Sequence, residues 1–168
     1  MTGMQAAEPV RPTSLRVVLL AAPLIFVAHF VEEGPRFVAW FNAHVGRGIT
    51  EPLFWTVNYT ALAITLAIVV LEWLSSSAFS AVLVVAWLSF LMLANALLHI
   101  VGAVVDGAYV PGLVTAILLY LPFYAWVVTR VVREHRLPRA AIVAAAIIGA
   151  LPMGVHGYLI IFRGSRLF

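Results

Sequence analysis

Three ionisable side chains stand at the end of an apolar segment near the N-terminus. His29 is followed at three and four residues by Glu32 and Glu33, and residues 17–28 carry no polar side chain. If the segment is a helix, this spacing places the three groups on one face. Ionisable groups in so apolar a setting are costly, so they mark either a functional site or a strongly paired structural one. The chemistry open to an imidazole and two carboxylates is metal binding or proton transfer.

A second polar pair, Asn95 and His99, lies four residues apart in another apolar segment. Facing helices that each contribute such a pair build metal sites in helical bundles. Imidazole and carboxylate ligands suit zinc or non-haem iron, and a chain without cysteine has no thiolate ligand. The alternatives are structural: an interhelical hydrogen bond for this pair, and an ion pair between Arg36 and one of the two glutamates.

A membrane protein must position these residues. The chain has 168 residues, of which 64% are hydrophobic and only 10% charged, and its mean hydropathy is +1.06. We predict an all-α membrane protein with five transmembrane helices in a compact bundle, forming a single transmembrane domain over residues 1–168. The predicted spans cover residues 15–33, 52–74, 78–105, 111–130 and 140–162. A short interfacial helix after the first span is indicated by Phe37, Trp40, Phe41, His44 and Arg47.

Polar residues gather at one end of the predicted bundle. Because successive spans alternate in direction, the ends of the odd-numbered spans lie beside the starts of the even-numbered ones. The residues expected to meet there are His29, Glu32, Glu33, Asn58, Asn95, His99, Asp106, Tyr109, Thr115 and His156. This clustering predicts one shared cavity near a single membrane surface. The opposite end is nearly bare, and we expect Glu72 there to reach the interface by snorkelling.

The positions of the arginines predict the orientation. One side of the membrane would hold Arg11, Arg16, Arg130, Arg133, Arg136 and Arg139, and the other Arg36, Arg47, Arg163 and Arg166. Because cytoplasmic loops are enriched in basic residues, we predict a cytoplasmic N-terminus and a C-terminus outside. The arginines lie in connections and form no stripe with interleaved aromatic residues, so no nucleic-acid partner is expected.

Three short motifs occur in order along the chain. They are His29-Phe30-Val31-Glu32-Glu33, Asn95-Ala96-Leu97-Leu98-His99 and Tyr109-Val110-Pro111-Gly112-Leu113-Val114-Thr115. In types and order they resemble the H-x-x-E-E, N-x-x-x-H and Y-x-P-G-x-x-T motifs of the HxxEE family of small bacterial integral membrane proteins. The resemblance covers the first four spans and does not include His156. It implies placement in a bacterial inner (plasma) membrane and an enzyme whose reaction it leaves open.

We expect a metal-dependent intramembrane enzyme that hydrolyses or otherwise modifies a lipid or another apolar small molecule. A divalent metal, zinc or iron, would activate water, and the glutamate that does not bind the metal would act as general base. The expected ligands are His29, His99, one of Glu32 and Glu33, and either Asp106 or His156. The side chains expected to position ligands or substrate are Asn58, Asn95, Tyr109 and Thr115.

Two other functions remain open from the residues. A histidine and a glutamate in an apolar pocket can transfer protons without a metal, as in membrane enzymes of the sterol-isomerase type. The same polar cluster would also serve a non-catalytic protein that binds or transports a lipid or an ion. Metal content, compared between the protein and variants of His29 and His99, distinguishes the first hypothesis from these two.

Overall fold

The computed structural model describes residues 14–34, 36–45 and 48–163, and in these ranges the protein has six helices and no strand. They are α1 (Leu15–Glu33), α2 (Phe37–His44), α3 (Glu51–Ser75), α4 (Ala78–Asp106), α5 (Leu113–Arg133) and α6 (Arg139–Arg163). All except α2 are long and apolar enough to cross a membrane. The prediction of an all-α membrane protein with five membrane-spanning helices and a short helix after the first span is confirmed. Arg11, Arg47 and Arg166, used in the predictions above, lie outside the described residues.

Polar caps at the ends of the helices fix the short connections. Thr50 accepts a hydrogen bond from the backbone N–H of Leu53 at the start of α3. Ser77 and Ser80 form a capping box at the start of α4, so the turn between α3 and α4 needs few residues. Gly107 ends α4 in the left-handed conformation that glycine adopts most easily. These caps make consecutive helices antiparallel neighbours.

Helix α4 lies at the centre of the bundle. In its most apolar stretch 56% of residues are buried, against 17% in α3 and in α6. It packs tightly on α6, because a Cβ atom added to Gly149 would lie 2.0 Å from the carbonyl oxygen of Ala86. Large apolar side chains such as Leu74 and Ile148 remain exposed on α3 and α6. Exposed apolar surface of this kind suits contact with lipid.

Two π-helical segments interrupt the helices that carry the polar residues. Ser89–Ala94 in α4 directly precedes the Asn95 to His99 motif, and Ala116–Tyr120 in α5 directly follows Thr115. A π-helical turn changes the face on which later side chains stand, and such turns are frequent at functional sites. Here they set the direction of the side chains that meet between α1, α4 and α5.

Glu72 does not snorkel, and the expectation that it would is wrong. Its carboxylate is fully buried and receives two hydrogen bonds from Arg136, at 2.6 Å from Nη1 and 3.1 Å from Nη2. The Ser80 hydroxyl donates a third at 2.5 Å. The connection between α5 and α6 brings the guanidinium to the end of α3, and this pairing keeps both charges compensated away from water.

Candidate metal centre

Three buried side chains from α1 and α4 point their ligand atoms at one another. His29 and Glu33 stand one turn apart on α1, and His99 faces them from α4. Oε1 of Glu33 lies 3.4 Å from Nε2 of His29 and 3.0 Å from Nε2 of His99. One ligand atom from each residue lies within 4.8 Å of the other two. Both imidazoles are fully buried, so the first and second motifs form one cluster in the interior.

The third motif fixes the protonation pattern of His29. Nδ1 of His29 lies 2.8 Å from Oγ1 of Thr115. That hydroxyl donates its single hydrogen to Oε2 of Glu32 at 2.5 Å, so it accepts the hydrogen of Nδ1. In a neutral ring Nε2 of His29 then carries the lone pair, and Nε2 is the nitrogen that faces Glu33. A hydrogen-bonded second nitrogen is the arrangement usual for a metal-binding histidine.

The cluster needs a positive charge between its members. The lone pair of His29 Nε2 and the carboxylate of Glu33 are both electron-rich, and the Asn95 side-chain N–H reaches Nε2 only at 3.3 Å. The approach of His99 to Glu33 lacks hydrogen-bond geometry, and neither ring nitrogen of His99 has a hydrogen-bond partner within the described ranges. A shared proton or a metal ion would satisfy these atoms. Two imidazoles and a carboxylate are a donor set that both zinc and non-haem iron accept.

Gly112 lies directly against this cluster. Its φ of +92° is a backbone conformation that other residues rarely adopt. A Cβ atom there would lie 2.8 Å from Cε1 of His99, 2.9 Å from Cγ of Glu33 and 3.0 Å from Cε1 of His29. The glycine is therefore required for two reasons, and it brings all three motifs into contact.

Aromatic rings cover the two imidazoles. The ring of Tyr120 lies 4.1 Å from that of His29 between centroids, at an angle of 32°. The ring of Phe37 lies 5.9 Å from that of His99. Tyr120 is completely buried, so these rings hold the imidazoles in place and exclude water. Both Gly112 and Tyr120 lie at the predicted polar end of the bundle, but neither is among the residues predicted to bind a metal or to position a substrate.

Glu32 has a different task from Glu33. Its carboxylate accepts hydrogen bonds from the Tyr109 hydroxyl at 2.5 Å and from the backbone N–H groups of Val114 and Thr115 at 3.1 and 2.8 Å. A carboxylate at the start of a helix satisfies backbone donors that have no partner in the helix. Burial, together with the hydrogen bond and charge of Glu32, raises the pKa of Tyr109, which keeps the phenol protonated as a donor. Glu32 thus anchors the start of α5, and the structure does not bring it to the imidazoles.

Asp106 also stays apart from the cluster. It accepts hydrogen bonds from Nε1 of Trp40 at 2.7 Å and from Nε2 of His44 at 3.0 Å, both on α2. Burial lowers the pKa of His44, but its hydrogen bonds to the Trp40 carbonyl and to Asp106 outweigh this and raise the pKa above its ordinary value. Asp106 therefore holds α2 against the end of α4.

A cavity of about 330 Å³ opens beside the cluster, between α1, α2, α3, α4 and α6. Its walls are mainly aliphatic and aromatic, and the polar side chains that line it are Glu33, Asn58, Asn95 and His156. Asn58 also donates a hydrogen bond to the carbonyl of Phe54 at 3.0 Å. His156 stands on α6 in the cavity wall, with its ring stacked 6.1 Å from that of Phe41, and is not one of the three clustered residues. Of the cluster, Glu33 alone lines the cavity.

Comparison with protein families gives a match to the family described as protein of unknown function with HXXEE motif, over residues 20–127. Neither the curated proteins nor the solved structures contain a match to this chain. The matched region includes the three clustered residues, Gly112 and Thr115, and it ends before His156. Because the match spans more than half of the chain and contains all three motifs that meet at the cluster, the protein belongs to the HXXEE family.

Proposed function

We propose that the protein is a metal-dependent enzyme that hydrolyses or otherwise modifies a lipid or another apolar small molecule within the membrane. The observation that carries this proposal is the convergence of His29 Nε2, Glu33 Oε1 and His99 Nε2 in a buried position beside an apolar cavity. These three atoms would hold zinc or iron(II). When bound, such a metal supplies Lewis acidity to an oxygen atom of substrate or water.

The residues of the chain provide the rest of the chemistry. Thr115 holds the His29 ring so that Nε2 faces the cluster. The apolar cavity walls bind the substrate and exclude water, while Asn58 can hydrogen-bond its polar group. If Glu33 binds the metal, His156 is the other titratable side chain among the described residues that line the cavity. We therefore assign proton transfer to His156 and not to Glu32, whose carboxylate is engaged at the start of α5.

Metal content tests this function. Purified protein should contain zinc or iron in a one-to-one ratio by elemental analysis. His29→Ala and His99→Ala should each lose the metal, because two remaining ligands bind it weakly. His135→Asn is the matched control, since His135 is an exposed histidine in the α5 to α6 connection and its φ of +51° is one that asparagine tolerates. Equal metal content in all four proteins would contradict the proposal.

A metal-free acid–base enzyme is the second candidate. It is favoured by the position of Glu33, whose Oε1 lies 3.4 and 3.0 Å from two imidazoles and whose side chain lines the cavity. A carboxylate so placed could take a proton from a substrate and pass it to a histidine. Protein that is pure and active without metal would favour this candidate. An infrared carboxylate band that titrates near neutral pH and is absent in Glu33→Gln would identify the group.

The location and orientation also belong to the proposal. We place the protein in the bacterial inner membrane with a cytoplasmic N-terminus, on the basis of the family resemblance and the larger number of arginines on the N-terminal side. Because the chain has no cysteine, single cysteines can report the topology without background. In intact spheroplasts, a membrane-impermeant maleimide should label Phe168→Cys and should spare Thr2→Cys. Labelling of Thr2→Cys without labelling of Phe168→Cys would show that the orientation is the opposite of the one proposed.

A further inference from the structure

A second apolar space lies on the lipid-facing side of the bundle, between α4 and α6. It is a groove of about 240 Å³. The residues that form its walls include Ala94, Leu97 and Val101 on α4 and Ala150, Gly154 and Tyr158 on α6. None of the described residues that line it is charged. The small residues leave a channel between the two helices, and Leu97 and Tyr158 at its edge are each 49% exposed.

The groove adjoins the cavity that holds Glu33. Leu98 and Met153 line both spaces, so these two side chains form the boundary between them. Methionine is unbranched and changes rotamer easily, which allows a chain-like ligand to pass at little cost. When Met153 moves aside, the two spaces join into one path, which has the polar side chains of the cavity at one end and the mainly apolar walls of the groove at the other.

We propose that the substrate is a single-chain amphiphile, a long-chain ester, amide or alcohol, with its polar group beside Glu33 and its chain in the groove between α4 and α6. This rests on the proposed function, because it names the substrate of the same site. The polar side chains that line the cavity are a carboxylate, two amides and an imidazole, with no arginine among the described ones. A phosphate headgroup would meet the carboxylate without a cationic side chain to compensate it, whereas an uncharged polar group fits these partners.

Gly154 offers a way to fill the groove without disturbing the cluster. A Cβ atom added there would have no neighbour within 4 Å among the residues that the structure describes, whereas one added at Gly157 would lie 3.0 Å from Cδ1 of Leu98. Gly154→Phe therefore places an aromatic ring in the space that we assign to the alkyl chain of the substrate. Val155→Phe is the matched control, because Val155 is the next residue on α6, is 50% exposed and lines neither space.

The test uses photolabelling of the full chain in phosphatidylcholine vesicles. The probes are dodecanol and hexanol that carry a diazirine at the end of the chain. In the wild-type protein we expect the dodecanol probe to label the segment of α6 around Gly154, and excess unlabelled dodecanol to suppress this labelling. Gly154→Phe should reduce it roughly tenfold or more, because an occupied space cannot also hold the chain. Labelling by the hexanol probe, and labelling of Val155→Phe by either probe, should stay unchanged.

Equal labelling of Gly154→Phe and wild type, or labelling that excess dodecanol does not suppress, would overturn the proposal, because bulk lipid would then fill the groove. The outcome is independent of the metal. If the wild-type protein contains no metal and the labelling pattern is as expected, the metal-dependent function fails and the amphiphile site stands. If His29→Ala loses its metal and Gly154→Phe labels like wild type, the metal centre stands and the amphiphile site fails.

Discussion

At Gly112 two physical effects can be separated by a matched pair of variants. Gly112→Ala combines an unfavourable φ with contacts of 2.8 to 3.0 Å to the cluster, whereas Gly107→Ala has an unfavourable φ of +61° and no neighbour within 4 Å. Both variants should lose roughly 1–2 kcal/mol of folding stability through backbone strain, because the left-handed conformation is unfavourable for a residue with a Cβ atom. Gly112→Ala should lose more than Gly107→Ala, because of its contacts with the cluster. Only Gly112→Ala should also lose metal, because its methyl group displaces the ligands. Thermal unfolding and elemental analysis measure the two effects, and metal retained in Gly112→Ala would show that the cluster tolerates the methyl group.

Thr115 is the residue that links the third motif to the first. Its hydroxyl accepts from Nδ1 of His29 and donates to Glu32, so Thr115→Val removes both hydrogen bonds while keeping the side-chain shape. We expect the affinity for zinc to fall by about 10- to 100-fold, the usual effect of losing a hydrogen bond to a ligand histidine. Thr115→Ser should recover most of it.

Thr129→Val is the control for this prediction. Thr129 is an exposed threonine on the same helix, and among the described residues its hydroxyl bonds only the Ala125 carbonyl. Its replacement should leave the zinc affinity unchanged. Isothermal titration of metal-free protein with zinc measures the affinity. An equal loss in Thr115→Val and Thr129→Val would mean that Thr115 acts through the helix and not through His29.

Sequence spacing placed His29, His99 and the two glutamates among the candidates for one site, but it could not separate the glutamates, and its candidates also included Asp106 and His156, which lie outside the cluster. Residues three and four positions after His29 lie on nearly the same helical face, so Glu32 and Glu33 were equivalent candidates. What distinguishes them is the start of α5, whose backbone N–H groups take up the carboxylate of Glu32 and leave Glu33 to the imidazoles. That choice depends on contacts between residues about 80 positions apart, which no local pattern contains.

At the scale of the helices, the hydropathy of the sequence predicted the number of spans but not the π-helical segments within them. Hydropathy alone indicated five crossing segments, and the described residues form five helices of that kind. The π-helical segments Ser89–Ala94 and Ala116–Tyr120 have no hydropathy signal, since an added residue in a turn leaves an apolar run apolar. Their effect is nevertheless large, because they turn the Asn95 to His99 motif and Tyr120 towards α1.

Helix α2 is held to the end of α4 by a hydrogen bond that depends on pH. Both ring nitrogens of His44 are within hydrogen-bond distance of acceptors, the Trp40 carbonyl and the Asp106 carboxylate, so the pKa of His44 is raised in the folded protein. A raised pKa contributes stability that is complete below the unfolded value of about 6.5 and is lost as the pH rises through the folded value.

We therefore expect the difference in Tm between wild type and Asp106→Asn to be largest below about pH 6.5 and to shrink above it. His44→Gln should show a Tm difference from wild type with the same pH dependence. Thermal unfolding in detergent across the pH range gives both curves. A difference that does not change with pH would mean that His44 is held in one protonation state throughout, or that Asp106 acts through Trp40 alone.

At the scale of the whole molecule, the buried carboxylates at the two ends of the bundle are compensated in different ways. At one end Glu33 faces two imidazoles with no arginine among its contacts in the described part of the chain, so either a proton on an imidazole or a bound metal ion has to compensate its charge. At the other end Glu72 has a fixed partner in Arg136. A site that binds an exchangeable ion must leave a charge uncompensated, whereas a structural pair must not. Composition could not reveal this difference, because both ends contain acids in apolar surroundings.

The difference between the two ends of the bundle predicts that folding stability and metal binding respond to different substitutions. Glu72→Gln removes the closest counter-charge of the Arg136 guanidinium and leaves only the longer contact of 4.0 Å to Glu134. Breaking a buried pair in this way costs roughly 3–5 kcal/mol. Metal content per folded molecule should not change, because Glu72 lies at the far end of the bundle from the cluster. Glu51→Gln, at an exposed acid in the first turn of the same helix, should leave both quantities unaltered. Chemical unfolding measures the free energy of unfolding, and elemental analysis of the same samples measures the metal content. Loss of metal in folded Glu72→Gln would show that the two ends of the bundle are coupled through the helices and do not act independently.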